Sequence, residues 1–361
     1  LTVIRDALDL MRDAGVDMKA EDIPLDDQAV YDMISEGETD GVFQLESGGM
    51  TSFLMNMKPQ NFEDIVAAIS LYRPGPMESI PRFIQGKQNP ASVKYLTPKL
   101  EPILNVTYGC MVYQEQVMQI VRDLAGYSMG RSDLVRRAMA KKKHDVMAKE
   151  KEYFIHGKLN DDGTIDVPGA VRLGVSEEAA EKLFDEMTAF ASYAFNKSHA
   201  AAYAVVAYRT AYLKYHYPKE YMAALLTSVL ASAGKIAAYM EECSRLNIAV
   251  LPPHVNESKQ GFSVFENSIR FGLLAIRNLG RGLIQRILSE RTMNGPFTTF
   301  YDFCKRMQGR DLNRRAVESL IRCGAFDGLG NNRREMLMAV GPLLDQLAVS
   351  YTHLRAHETD S

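Results

Sequence analysis

The chain has 361 residues, 46% of them apolar and 24% charged, and a formal net charge of −3. That length suggests two or three domains with a sizeable core, and the charge balance excludes a uniformly basic tail, so any nucleic-acid surface must be a local patch. No apolar run reaches the ~18 residues of a membrane span, and no secretory signal opens the sequence. The four cysteines (Cys110, Cys243, Cys304, Cys323) lie far apart with no C-x-x-C pair, which argues against a zinc site or a disulfide framework and fits a reducing cytoplasm. A start at Leu1 reads as a piece of a longer protein. Residues 350–361 lack periodicity and are read as a non-native tail, outside the fold.

Helical periodicity dominates. Tyr113, Val117, Ile120, Val121 and Leu124 recur at i, i+4, i+7, i+8 and i+11, which predicts one buried helix face. Asp162-Gly163 between Leu159 and Ile165 predicts a hairpin turn. Ser176 caps a helix with Glu177 and Glu178 in its first turn and Ala179, Leu183, Phe184, Met187 and Phe190 on its apolar face. Ser198 is expected to cap a long helix to about Tyr217, and Pro218 opens the next. A second hairpin is predicted in 262–265 and 268–271, turning at Glu266-Asn267. The paired prolines of Leu251-Pro-Pro-His254 mark a boundary, after which comes a smaller unit. The reading is a mainly α protein with small β-hairpins.

Four motifs could carry chemistry. In the run from Arg131 to Lys143, helical geometry puts Arg136, Arg137, Lys141 and Lys143 on one broad face, with Leu134, Val135, Ala138 and Met139 opposite. Lys142 falls among the apolar residues, so the helix should end there. Arginine forks suit phosphate oxygens, although a solvated basic face would look the same. In Phe195-Asn-Lys-Ser-His199, Lys197, Ser198 and His199 stand at a helix start, where anions are favoured; a plain cap with a surface histidine is the bland alternative. Leu71-Tyr-Arg-Pro-Gly-Pro-Met77 is a stiff turn that would hold Tyr72 and Arg73 at small entropic cost, and a structural turn explains it equally. Gly280-Arg-Gly282, ahead of an apolar helix, resembles a helix-hairpin-helix element whose backbone N–H groups could meet a phosphate. No P-loop, H-E-x-x-H, nucleophile elbow or Asp-x-Asp pair occurs.

Taken in order, Gly41-Val-Phe-Gln-Leu-Glu-Ser47, Tyr72-Arg-Pro-Gly-Pro76, Thr107-Tyr-Gly109, Tyr113-Gln-Glu-Gln-Val-Met118, Arg136-Arg-Ala-Met139 with Lys141-Lys-Lys143, and Phe195-Asn-Lys-Ser-His199 resemble the bacterial replicative DNA polymerase III alpha subunits. Leu251-Pro-Pro253, Leu312-Asn-Arg-Arg315 and Gly324-Ala-Phe-Asp327 continue the likeness, which runs from about Leu1 to Leu347. The resemblance implies C-family polymerase fingers followed by a tandem helix-hairpin-helix module. It makes residues 1–245 the end of the palm and the fingers, and residues 250–347 the hairpins and the start of the clamp-binding region. It also implies templated addition of dNTPs to a primer 3′-hydroxyl with release of pyrophosphate. Two Mg²⁺ ions would be held by palm aspartates that this chain lacks, so the piece alone is expected to be inactive. The implied nucleotide-binding residues are Arg73, Arg136, Arg137, Lys141, Lys143, Lys197, Ser198 and His199, with His199 beside the sugar. Gly280, Arg281, Gly282 and Arg314 would grip duplex phosphates. The implied partners are primer-template DNA, dNTPs, the sliding clamp and other holoenzyme subunits, with no membrane, in the cytoplasm. A noncatalytic DNA-binding or interaction module is the alternative from another class.

Overall fold

A computed structural model describes residues 1–141, 144–191, 193–309 and 312–358. The chain divides into two compact units, one of Pro24–Ala211 and one of Leu1–Ile23 with Tyr212–Ser361.

In the unit of Pro24–Ala211 the helix Phe62–Leu71 is buried from Asp64 to its end. A helix that is apolar from its second turn onward must lie inside, and its one buried acid is neutralised there: Lys87 Nζ sits 2.7 Å from Asp64, with both side chains almost fully buried. A second core forms where Gln114–Ala125, Met129–Ala140, His144–His156 and Glu177–Ala191 meet. Val117, Ile120, Val121 and Leu124 are fully buried, as their spacing predicts, and Tyr113 is buried at the N-cap, one residue ahead of the helix. Each such side chain contributes roughly 1.5–3 kcal/mol by leaving water. Ser176 Oγ accepts the Ala179 N–H at 3.3 Å, so the predicted cap forms. The hairpin pairs Lys158–Leu159 with Ile165–Val167, Leu159 opposite Ile165, and turns through Gly163 at φ +83°.

Two expectations need correcting here. Leu134 is 65% exposed, because the buried stripe of the basic helix is narrow and runs through Ser132, Val135, Ala138 and Met139. Ser198 does not cap the long helix. That helix is Lys197–His216, and Asn196 Oδ1 accepts the His199 N–H at 2.9 Å, so the cap lies two residues earlier than the serine.

In the other unit, Thr2–Asp13 packs on Pro218–Ser228, the helix that Pro218 opens. The predicted hairpin is present as Ser263–Phe265 and Ser268–Arg270, with Glu266 left-handed at the turn. Val250–Leu251 adds in parallel to Ser268–Arg270, so chain on both sides of the paired prolines shares one three-stranded sheet. Beyond it, Arg281–Asn294, Phe300–Arg306, Arg314–Arg322 and Arg333–Glu358 enclose a core containing Ile284, Ile287, Val317 and Leu320. Phe303 meets Phe297 and Phe326 edge-on there, with centroids 4.9 Å apart in each pair. Residues 350–358, for which the sequence pattern gives no element, continue the last helix. Their Ala, Leu, Arg and Glu are good helix formers, and propagation adds one bond per residue.

Candidate nucleotide and duplex interface

The first site is built on the start of the helix Gln114–Ala125. Gln116 is buried and reaches back, its Oε1 accepting the N–H of Val112 at 2.8 Å and of Tyr113 at 3.0 Å. This fixes the strand-like entry of residues 112–113, which runs parallel to the entry of the long helix. Tyr113 bridges to Phe195, and Gln114 N donates to Phe195 O at 2.9 Å. Burial pushes the Tyr113 hydroxyl's pKa upward, keeping it neutral.

Around this joint stand residues that the sequence names separately. The Arg73 guanidinium lies 4.4 Å over the Phe195 ring. Its turn demands glycine: Gly75 has φ +100°, and a Cβ there would lie 2.4 Å from the Tyr193 ring. Lys197 Nζ is 2.9 Å from Glu63 and 5.3 Å over the Tyr113 ring. His199 packs between Phe195 and Tyr203, at centroid distances of 5.4 and 4.6 Å, and Phe43 follows Tyr203 at 5.7 Å. Residues 195, 199 and 203 recur at i, i+4 and i+8, making one aromatic row that leads from Phe195 into the first turns of the long helix, and His199, Tyr203 and Phe43 are exposed in it.

The basic helix enters from the other side. Ser128 Oγ accepts the Arg131 N–H at 3.3 Å to begin it, and it ends at Ala140, as the position of Lys142 predicts. Its arginines are not loose charges. Arg131 donates to Glu150 and Asp166 and lies over the rings of Tyr127 and Tyr153. Arg136, only 17% exposed, donates twice to Asp133 at 3.0 and 2.8 Å and once to Gln114 Oε1 at 3.2 Å. Arg137 Nε lies 2.7 Å from the same Asp133, but its side chain is 64% exposed. The hydrogen bond from Arg136 is the main cause holding the Asp133 carboxyl below the usual aspartate range. Arg73, Arg136, Lys197 and His199 are thus gathered about one helix start, and Arg137 projects from the basic helix into solvent. Lys141 and Ser198 are exposed, and Lys143 lies outside the described residues.

The second site opens the helix Arg281–Asn294. Gly280, Arg281 and Gly282 are all exposed, and no side chain caps the first turn. The turn's left-handed residue is Asn278, at φ +66°; Gly280 has φ −76°, open to any residue, and a Cβ there would meet nothing within 4 Å. The bend therefore does not require glycine at 280, and no side chain caps the first-turn N–H groups. Asn278 Nδ2 donates to Ser319 Oγ at 3.0 Å, tying the turn to the helix Arg314–Arg322. That helix differs: Asn313 Oδ1 accepts the Ala316 N–H at 3.0 Å, and Arg314 is paired with Glu318 at 2.8 Å. Arg314 holds the Glu318 carboxyl below its ordinary range.

Residues 1–162 match the family model of the bacterial DNA polymerase III alpha subunit finger domain, and residues 247–336 match the helix-hairpin-helix motif. The DNA polymerase III alpha subunit of Thermus aquaticus is 46% identical over 350 residues, 95% of this chain and 28% of that protein. The chain belongs to the DNA polymerase III alpha subunit family. Alpha subunits of Staphylococcus epidermidis (strain ATCC 12228) and Staphylococcus aureus (strain N315) are 41% identical over 94% and 96% of the chain. The chain spans about 30% of the length of these polymerase III alpha relatives. Arg73, Arg136, Arg137 and Lys141 fall inside the finger-domain match; Lys197, Ser198 and His199 lie beyond its end. The glycine turn and Arg314 fall inside the helix-hairpin-helix match.

Sequence reasoning missed the acceptors. Asp133, Gln114 and Glu63 hold the cationic side chains in place, Glu115 accepts from the Lys197 backbone N–H and from Asn196, and Phe195, Tyr203 and Phe43 complete the aromatic row. Only the i, i+4, i+8 spacing of that row was visible in advance. Among the described residues no three His, Cys, Asp or Glu side chains come together in a way that could hold a metal ion, and no helix is long and apolar enough to cross a membrane.

Proposed function

We propose that this chain is the nucleotide-gripping and duplex-gripping part of a replicative DNA polymerase that adds dNTPs to a primer 3′-end on a template and releases pyrophosphate. In this reading residues 1–245 finish the palm and form the fingers, and residues 250–347 form the hairpins and the start of the clamp-binding region. The observation that carries it is the gathering of Arg73, Arg136, Lys197 and His199, from three stretches of chain, about one helix start. Cations held by weak surface carboxylates can exchange those partners for triphosphate oxygens, and Arg137, mostly exposed, is free to swing to a phosphate. Lys141 and Lys143 add charge beyond the helix end, and Lys197 and Ser198 meet the phosphates from the long helix. His199, held on two sides by aromatic rings, is suited to lie beside the sugar, where a 2′-hydroxyl would distinguish RNA precursors.

In the other unit, the uncapped turn at Gly280, Arg281 and Gly282 offers N–H groups to duplex phosphates without reading sequence. The divalent ions that DNA polymerases generally use find no cluster of ligands among the described residues. The partners in this reading are primer-template DNA, dNTPs, the sliding clamp and other holoenzyme subunits, in the cytoplasm.

The test is primer extension with Mg²⁺ and four dNTPs. This chain alone should not extend, whereas a complete polymerase III alpha chain carrying these residues should. In that complete chain His199→Ala should relax discrimination against ribonucleotides. Extension by this chain alone, or discrimination unmoved by His199→Ala, would contradict the reading. Duplex binding that proceeds normally in the complete chain, with dNTP kinetics indifferent to Arg137→Ala and Lys197→Ala, would favour a noncatalytic binding module.

A further inference from the structure

The two side chains that open the helix Gln114–Ala125 connect groups lying far apart in sequence. Gln114 Nε2 donates to Ala194 O at 3.0 Å while its Oε1 accepts from Arg136 at 3.2 Å. Glu115 turns both carboxylate oxygens to the Lys197 N–H, each at 3.1 Å, and its Oε1 also accepts from Asn196 Nδ2 at 3.0 Å. Lys197 is the first residue of the long helix, so the carboxylate sits on that helix's positive end, with charge-assisted bonds in the favourable sense. Asn196, held by Glu115, is the same residue that accepts the His199 N–H. One dipeptide therefore touches Arg136 on one side and sets the start of the helix bearing Lys197, Ser198 and His199 on the other.

We propose that Gln114 and Glu115 are positioning residues for the incoming nucleotide, fixing the register of the long helix's first turn against Arg136. The inference rests on the reading of Lys197 and His199 as nucleotide-binding residues. Neither Gln114 nor Glu115 need touch the nucleotide. Their effect comes through preorganisation: with Glu115 removed, the first turn of the long helix loses three acceptor contacts, and the nucleotide must order it on binding. That penalty falls equally on the ground state and the transition state, so it appears in KM rather than kcat.

The experiment uses a complete polymerase III alpha chain carrying these residues, with Glu115→Ala, Glu115→Gln and Lys197→Ala compared by dNTP kinetics on primed duplex. Hydrogen exchange is followed in residues 195–200. Glu115→Ala should raise the dNTP KM about tenfold with kcat changed about twofold or less, and should speed exchange at the Lys197 and His199 amides. Glu115→Gln keeps an acceptor oxygen and should fall between Glu115→Ala and the parent. Unchanged exchange in Glu115→Ala overturns the proposal. So does a KM that falls, which would mean that Glu115 occupies a seat the phosphate wants. If Lys197→Ala raises KM and Glu115→Ala does not, the positioning role fails while the nucleotide reading stands. If neither moves KM, the nucleotide reading itself fails.

Discussion

In the helix Met129–Ala140 the guanidiniums of Arg131, Arg136 and Arg137 each end on carboxylates of the same chain, whereas the helix Arg281–Asn294 begins with no side chain over its first turn. Both regions read from sequence as phosphate sites, and they differ in what an arriving phosphate must displace. At the basic helix it competes with Asp133, which holds two arginines in place beforehand. At the glycine turn it competes only with water. The first arrangement favours a compact, highly charged ligand that can outbid a carboxylate, such as a triphosphate. The second suits a regularly spaced backbone gripped weakly at many points.

The largest effect expected from breaking this contrast is at Arg136. Arg136→Ala removes both the charge proposed to meet the triphosphate and the bond to Gln114, and should lower kcat/KM for dNTPs roughly 30- to 100-fold in a complete chain, measured by steady-state primer extension. Next comes Gly280→Asp, which places a carboxylate over the bare turn. It should weaken duplex binding roughly tenfold and flatten the salt dependence, while leaving the fold intact or about 1 kcal/mol more stable through capping. A nitrocellulose or anisotropy titration across salt concentrations, beside a melting curve, separates the two effects. Arg314→Ala should matter less, about threefold or below on duplex affinity, because Glu318 already shares its charge.

The smallest effect is on pH-dependent stability. The depressed pKa of Asp133 means that its ion pairs stabilise the fold above the ordinary aspartate value of 3.8 and that this stability is lost as pH falls through the lower folded value. Asp133→Asn should therefore cost about 0.5 kcal/mol at neutral pH, and the gap from the parent should close in strong acid. A gap that persists there would mean that the side chain's packing matters more than its charge.

What could be read in advance follows the range of the interaction. The buried face Val117, Ile120, Val121 and Leu124, the Ser176 cap and both hairpin turns depend on residues a few positions apart, and local periodicity carries them. Leu134 was misplaced because helical geometry gives the direction of a side chain but not the width of the surface that covers it. Ser198 was mistaken for the cap because three polar residues in a row compete for that role, and the winner, Asn196, is held by Glu115 from 81 residues away. The strand Val250–Leu251 is too short to show a period, and its partner lies beyond the prolines. The positions of the candidate site residues were legible as charge and glycine. Their acceptors were not, since a carboxylate's partner is chosen by the fold.

The contrast between the two regions is tested most directly by measuring both dNTP KM and duplex Kd, in one complete chain, for Arg137→Ala and for Gly280→Asp. The account predicts a clean separation: Arg137→Ala raises the dNTP KM roughly tenfold and leaves duplex Kd within about twofold, and Gly280→Asp does the reverse. If both variants shift both constants together, or if Arg137→Ala moves only duplex binding, the division between a nucleotide-gripping helix and a duplex-gripping turn is contradicted.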